Sequence, residues 1–353
     1  MPSRIDTHVA LVFGGRSPEH SISCLSANSV LAALQELGYS VTCIGITPLG
    51  VWVRVPSEEV AAYQISSEFR PEVRCSDQLV RVVMDPGAPG IEINGQFSPI
   101  SILFPVIHGV DGEDGAIQGL CQIAGIPVVG SGVRASAISA NKLTTKELVR
   151  AAGIDAGEWF AQYSGAISVP SMKPFPFPWF VKPVSGGSSI GISKVDEIDS
   201  FETACVVGFR TSSELIIEAG LNRPRELEVG ILSENSHVQV SPVGEVKVKD
   251  HFEFYDFEAK YISDGAELIV PAQLPDEIAG QIQQLAVRVF TLLGCQGYAR
   301  VDFFLEGDRI VFNEINTIPG FTSISMFAKM WLESGLRFPQ IVDQLVRSAQ
   351  TSS

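Results

Sequence analysis

Over the first hundred or so positions, short apolar runs alternate with a stretch of helical spacing. Val9 to Phe13 is apolar throughout, and Val41 to Ile46 and Ile102 to Val106 are further strand-length segments. Strands buried on both faces read this way, as in a parallel sheet covered by helices. Gly14-Gly15-Arg16-Ser17-Pro18-Glu19 turns the first strand into a helix, with Ser17 suited to the N-cap and Pro18 to the first helical position. A helical pattern over Ser26 to Leu37 follows. This β-α-β order predicts an α/β fold with sites at strand C-termini.

Further on, the pattern predicts a helix around Asn141 to Gly153, then a stiff extended connector where Pro170, Pro174, Pro176 and Pro178 occur with Phe175 and Phe177. Strands are expected at 179–182, 192–195, 214–217, 227–232, 298–305 and 309–316, and helices at 275–293 and 339–348. There is no internal repeat.

The last two strands carry the most informative polar pattern. A turn at Glu306-Gly307-Asp308 centred on Gly307 sets Asp302 opposite Phe312 and Arg300 opposite Glu314. Arg300, Asp302, Glu314 and Asn316 then share one face, because strand side chains alternate with period two. A loop of even length would put the two strands' sets on opposite faces. Three oxygen-bearing side chains beside a guanidinium suit a Mg²⁺-nucleotide site, since Mg²⁺ takes oxygens and leaves phosphates to fill its shell. A carboxylate pair on a hairpin is ordinarily a solvated face. Here Asn316 leads straight into Thr317-Ile318-Pro319-Gly320, whose glycine lets the backbone approach a ligand.

Other motifs carry less. The run Gly186-Gly187-Ser188-Ser189-Ile190-Gly191 lies between two strands and leads into no helix, unlike a P-loop. It reads either as a flexible turn or as a loop laying N–H groups over phosphates. Lys182, four residues earlier, is a phosphate contact or a surface lysine. Glu218 and Glu226 flank the turn from Gly220 to Pro224, as solvated charges or as acceptors for ribose hydroxyls. The run Phe254 to Tyr261 mixes aromatic and polar residues in the manner of a lid over a substrate. Glu19 either complements a helix dipole or holds a substrate ammonium. His108 is followed by Asp111, Glu113 and Asp114, which favours a polar site over a packed histidine.

Composition narrows the class. A chain of 353 residues should form two or three domains, and 45% apolar with 18% charged residues is ordinary for a globular enzyme. The net charge of -15 argues against nucleic-acid binding. Six scattered cysteines without a C-x-x-C pair suggest neither a disulfide framework nor a zinc site. No signal pattern and no membrane-length apolar run is visible, so a cytoplasmic protein without membrane contact is expected.

Taken together, the motifs closely resemble D-alanine–D-alanine ligases of the ATP-grasp superfamily. The matching stretches are Val12 to His20, His108-Gly109 with Gly112 to Gly115, Gly125-Ile126-Pro127 with Gly130-Ser131-Gly132, and Val181-Lys182-Pro183 with Gly187 to Gly191. Glu258 to Tyr261 and Glu314 to Thr317 complete a set that stands in family order over nearly the whole chain. The resemblance implies an ATP-grasp fold: an N-terminal parallel-sheet α/β domain (1–134), then a central (135–221) and a C-terminal (222–353) domain clasping ATP.

It also implies roles. Lys142, Lys182 and Lys260 would meet phosphates, with Ser189, Glu218 and Glu226 also at the nucleotide and Glu226 taking the ribose. Asp302, Glu314 and Asn316 would hold Mg²⁺, two ions by family habit, with Mn²⁺ a possible substitute. Glu19 would bind the ammonium of the first D-alanine and form a lid-closing set with Ser188 and Tyr261. His108 would lie at the substrate, Ser325 at the second substrate's carboxylate, and Arg300 with the Gly320 N–H at the oxyanion. ATP and D-alanine are the implied partners, and a homodimer the implied assembly. Asn141 stands where the family commonly has Asp, and the segment from Glu218 to Glu226 departs from the usual hinge.

Related ligases using D-lactate or D-serine, or another ATP-grasp carboxylate–amine ligase or carboxylase, are the rivals. A nicotinamide oxidoreductase is a poor one, because Gly14-Gly15-Arg16-Ser17-Pro18 lacks G-x-G-x-x-G spacing.

Overall fold

Both faces of the first strand are covered, which is why its sequence is apolar without alternation. In the computed structural model, which describes residues 4–65, 70–165, 167–170, 173–234, 237–248, 266–323 and 325–351, this strand is β1 (His8–Gly14). Helix α1 (His20–Glu36) leads to β2 (Ser40–Ile46) and the edge strand β3 (Trp52–Arg54), followed by α2 (Ser57–Ala61). A small antiparallel sheet of β4 (Val80–Val83), β5 (Gly90–Ile93) and β6 (Gln96–Pro99) precedes β7 (Ile102–Pro105) and α3 (Ala116–Ala124). The main N-terminal sheet has the order β3-β2-β1-β7, with β1 parallel to both β2 and β7. Val9, Leu11 and Phe13 pack on the α1 side, while Ala10 and Val12 pack with Ile117, Cys121 and Ala124 of α3.

Helix α1 begins earlier than its apolar pattern indicates, because its first turn is buried through polar residues. Ser23 Oγ accepts from Gly14 N and donates to Val106 O, both at 2.7 Å. His20 is tied to Gly15 O and Val73 N. The N-cap position belongs to Glu19, not Ser17. Ser17 instead closes the turn before the helix, accepting from Glu19 N at 3.1 Å. Gly14 (φ +87) tolerates no side chain, since a Cβ there would lie 2.3 Å from Ile46 O. Gly14→Ala is therefore expected to cost about 3 kcal/mol in urea unfolding. A loss below about 1 kcal/mol would show that the turn relaxes freely.

After α4 (Val133–Ser139) and α5 (Lys142–Ala151), a second sheet is built from β8 (Trp159–Tyr163), β9 (Trp179–Pro183), β10 (Ser193–Val195) and β11 (Glu214–Ala219), in the order β10-β9-β11-β8. It closes its own core with α6 (Phe201–Gly208) around the fully buried Trp179. The proline-rich connector contributes to that core through Phe175, whose carbonyl accepts from Trp179 Nε1.

The third sheet contains β12 (Arg225–Glu234), β13 (His237–Val248), β14 (Ala266–Ile269), β15 (Tyr298–Glu306) and β16 (Arg309–Asn316), in the order β14-β13-β12-β15-β16. Helix α7 (Asp276–Leu292) covers its apolar face. Helices α8 (Met326–Glu333) and α9 (Phe338–Thr351) end the fold. Ile341, Val342, Leu345 and Val346 of α9 join the core of the N-terminal sheet. Asp343 on α9 accepts from Arg4 and from Tyr39 at 2.8 Å each. The two ends of the chain thus share one core, and the second sheet keeps its own.

Candidate functional site

The β15–β16 hairpin reaches the expected face by a different register. Glu306 pairs with Arg309, so Gly307-Asp308 is a two-residue turn, and Phe303 pairs with Phe312. That even loop would have separated the polar sets. A bulge at Asn313 shifts the register by one, so that Asp302 faces Glu314 and Arg300 faces Asn316. Beyond the bulge Val301 and Ile315 point into the core, and the four polar residues share the opposite face. The expected pairings Asp302–Phe312 and Arg300–Glu314 are thereby corrected, and the shared face is kept.

Across the sheet Glu228 faces Asp302, which faces Glu314, forming a row of three carboxylates on β12, β15 and β16. Like charges directly opposite one another are unfavourable without counterions. Arg300 supplies one, bonding both Asp302 oxygens at 2.7 and 2.6 Å and reaching Glu228 at 3.2 Å. Burial alone would lower its pKa, but Asp302 and Glu228 hold it well above the ordinary value. Lys142 at the start of α5 supplies the other, 3.1 Å from Glu314, and donates to Gly186 O at 2.9 Å. Burial works against its charge too, and Glu314 more than offsets that. Asn141 caps α5 by accepting from Thr144 N at 2.8 Å, so the departure from Asp leaves the cap intact.

Opposite this row stands the second sheet. Lys182 on β9 and Glu218 on β11 lie 2.6 Å apart, and the other Glu218 oxygen is 2.9 Å from Lys146. Burial alone would raise the Glu218 carboxyl, but Lys146 and Lys182 bring it down to about 2. Burial is the stronger influence on Lys146 and lowers its pKa. The Gly-rich loop caps the β9–β10 hairpin, where Val181 pairs with Ser193. Ser188 and Ser189 adopt φ of +50 and +58, a conformation that non-glycine residues seldom take without a constraint. Ser188 Oγ donates to the Glu19 carboxylate, linking that loop to the N-cap of α1.

Between the sheets lies a cleft with a cavity volume of about 350 Å³. Lys142, Lys182, Ser188, Ser189, Glu218, Glu226, Arg300, Asp302 and Glu314 line it, along with Lys146, Glu228 and Asn313, which the sequence did not single out. Lys146 did leave a signal: it is four residues after Lys142, and like charges at that spacing on a helix are unfavourable without a purpose. Glu228 likewise shares a strand face with Glu226.

Glu19, His108, Asn316, Gly320 and Ser325 stand outside the lining. His108 Nε2 meets Ser26 Oγ at 2.9 Å and Nδ1 meets Ile318 O at 3.0 Å, with Glu113 3.7 Å from Nδ1. Asn316 Oδ1 accepts from Ile318 N at 3.0 Å, so both contacts hold the segment leading to Gly320. Ser325 caps α8, donating to Thr322 O at 2.8 Å and accepting from Ala328 N at 3.4 Å. Of the loop acids, Asp111 binds Arg16 through both oxygens at 2.8 Å, and Asp114 accepts from the backbone N–H groups of Asp111 and Ala116. Lys260 and Tyr261, with the expected lid, lie outside the described residues.

The donor chemistry suits a divalent metal with a polyphosphate. Asp302 and Glu314 offer carboxylate oxygens and Asn316 a carboxamide oxygen, on one face. Among the described residues no group of three His, Cys, Asp or Glu side chains forms a metal cluster. A hard cation that keeps water and phosphate oxygens in its shell needs no such cluster.

The description "D-ala D-ala ligase N-terminus" matches residues 8–131, and "D-ala D-ala ligase C-terminus" matches residues 148–347. The chain is 43% identical to a D-alanine–D-alanine ligase of Mycobacterium avium, over 97% of this chain and 96% of that one. It is 41% identical to one of Nocardia farcinica, over 99% and 98% respectively. Among solved structures, it is similar to the VanG D-Ala:D-Ser ligase from Enterococcus faecalis, with a TM-score of 0.83, 31% identity and coverage of 97% and 99%. The D-alanine-D-alanine ligase from Coxiella burnetii matches with a TM-score of 0.83, 31% identity and coverage of 99% and 95%.

Proposed function

The chain belongs to the D-alanine–D-alanine ligase family, and from that premise we propose how its residues divide the work of joining two D-alanines. It is an ATP-dependent ligase of peptidoglycan-precursor synthesis with the ATP-grasp fold, and it uses a divalent metal with ATP. The observation that carries the proposal is the cleft itself: lysines from α5 and β9 face a row of carboxylates across a space lined by both sheets.

In this reading Lys142 and Lys182, with the N–H groups of the loop around Ser188 and Ser189, receive the phosphates, and Lys260 meets the transferred one. Glu226 takes the ribose and Glu218 the base end. Asp302, Glu314 and Asn316 would hold Mg²⁺, two ions by family habit, with Mn²⁺ a substitute, and the bound metal would supply positive charge to offset that on the phosphoryl group. A carboxylate is a poor acyl donor, so an oxygen of the first D-alanine carboxylate takes the γ-phosphoryl group from ATP, the bond to the β-phosphate oxygen breaks and ADP is released, with the substrate ammonium held by Glu19. The amine of the second D-alanine, its carboxylate placed by Ser325, attacks the acyl phosphate, and phosphate leaves.

Arg300 and the Gly320 N–H face the oxyanion; one such donor is typically worth about 3–4 kcal/mol. His108 serves the substrate by fixing the Ile318 carbonyl. Ser188, Glu19 and Tyr261 close the site against water, which would hydrolyse the acyl phosphate. Domain limits at 134 and 221, a homodimer and a cytoplasmic location complete the reading, supported by the family. Among the described residues no helix is long and apolar enough to cross a membrane.

Incubation with ATP, Mg²⁺ and D-alanine is expected to give D-alanyl-D-alanine and phosphate, with yield rising as pH frees more amine. Equimolar D-lactate should compete poorly even near pH 6, because position 261 carries a tyrosine and not a histidine that titrates there. Dominant depsipeptide, or a dominant D-serine product, at physiological pH would overturn the assignment.

A further inference from the structure

Lys146 has no part in the reaction path above, yet it is the most thoroughly enclosed cation of the cleft, with a side-chain exposure of 4%. Its Nζ donates to Ala156 O at 2.9 Å and Phe312 O at 3.3 Å and lies 2.9 Å from Glu218 Oε1. Those partners belong to the loop before β8, to β16 and to β11, so Lys146 ties together both sheets that bound the cleft. A lysine with that set of partners cannot also follow a phosphate without abandoning them. Glu218 meanwhile divides its two oxygens between Lys146 and Lys182, and only Lys182 of the two is read as a phosphate ligand.

We infer that Lys146 is a positioning residue: it holds the Glu218 carboxylate in place by one oxygen and shares its charge, leaving Lys182 free to turn to phosphate. The inference rests on the ATP reading of the cleft. Without the Lys146 charge, a carboxylate buried to 8% exposure has one cation left. It must then hold Lys182 more tightly or take up a proton, since burial disfavours an under-compensated charge. Either change weakens ATP binding and leaves Glu19 and Ser325, which stand outside the cleft lining, as they were.

Lys146→Gln removes the charge and keeps an N–H donor facing the two carbonyls on a side chain one atom shorter. Titration of ATP without D-alanine, combined with steady-state kinetics, is expected to show the ATP Kd and KM raised about tenfold or more, with the KM for D-alanine and kcat at saturating ATP within about threefold. Lys146→Arg, which keeps the charge, should stay within about threefold of the unaltered protein in ATP affinity. Unchanged ATP binding in the Gln variant, or an equal rise in both KM values, would overturn the inference. If the Gln variant does not fold, the Arg variant decides: retained ATP binding supports the role of the charge, and loss of binding in a folded Arg variant overturns it. Failure of the unaltered protein to bind ATP would instead overturn the reading of the cleft.

Discussion

Replacing Glu314 by Gln is expected to cut ATP- and D-alanine-dependent phosphate release by about three orders of magnitude while the protein stays folded. Glu314 ends the row that begins at Glu228, and it is more exposed than Asp302, with 35% of its side chain accessible against 12%. An amide keeps the shape but offers a divalent cation one neutral oxygen in place of a carboxylate. Metal stabilisation of transferred charge is worth several kcal/mol, about the size of a thousandfold change in rate. The fold should lose little. Lys142 forfeits a partly exposed ion pair, while the repulsion between Glu314 and Asp302 across the strands disappears. Phosphate release at saturating Mg²⁺, read beside a thermal melt, decides the matter. Near-normal turnover would mean that the row is only solvated charge.

Glu218→Gln should act in the opposite way, on stability first. Its carboxylate is buried between Lys146 and Lys182, and removing one partner of such a group costs about 3–5 kcal/mol. The loss depends on pH, and its direction follows from the carboxyl pKa. Burial pushes that carboxyl up, but the two lysines outweigh burial and hold it at about 2, below the roughly 4.3 expected of an unfolded glutamate. A depressed pKa contributes stability that is complete above the unfolded value and is lost as pH falls through the folded one. The gap between the unaltered protein and the Gln variant should therefore be largest at neutral pH and narrow as pH falls from about 5 toward 2. Urea unfolding at pH 7 and again near pH 3 measures it. A gap of the same size at both pH values would show that the lysines do not set the Glu218 charge.

Much of this protein was legible in its sequence wherever a local rule acts alone. The apolar run Val9 to Phe13 specified a doubly covered parallel strand, and it pairs with β2 and β7 as expected. The pattern around Arg300, Asp302, Glu314 and Asn316 specified a polar face opposite an apolar one. Hydrophobic burial of Val301 and Ile315 favours that outcome within each strand, while the turn and the bulge decide whether the two polar sets meet. Elements interrupted by breakers or polar residues were harder to see. Strand β13 contains Pro242 and Gly244, which argue against a strand, yet they fall beside the irregularity where pairing moves from Val229–Val243 to Ile231–Val240. Strand β8 and helix α6 left no distinct local signature, and the β4–β6 sheet is too short to announce itself.

What the sequence determined by itself was the class of fold, through periodicity within each element, and the family, through motifs that stand in family order; it also named many of the residues that line the cleft. Only the tertiary structure decided how those groups meet. The bulge at Asn313 restores a face that the Gly307-Asp308 turn would have split, and its position follows from packing Phe303 and Phe312 on one side of it and Val301 and Ile315 on the other. Lys146 becomes a partner of Glu218 because α5 lies against β16 and faces β11, elements that are far apart along the chain. The charge of Glu218 is then set by burial and by two lysines acting together. That energy belongs to the assembled interior, where the dielectric is low and distances are fixed, and no stretch of sequence carries it alone.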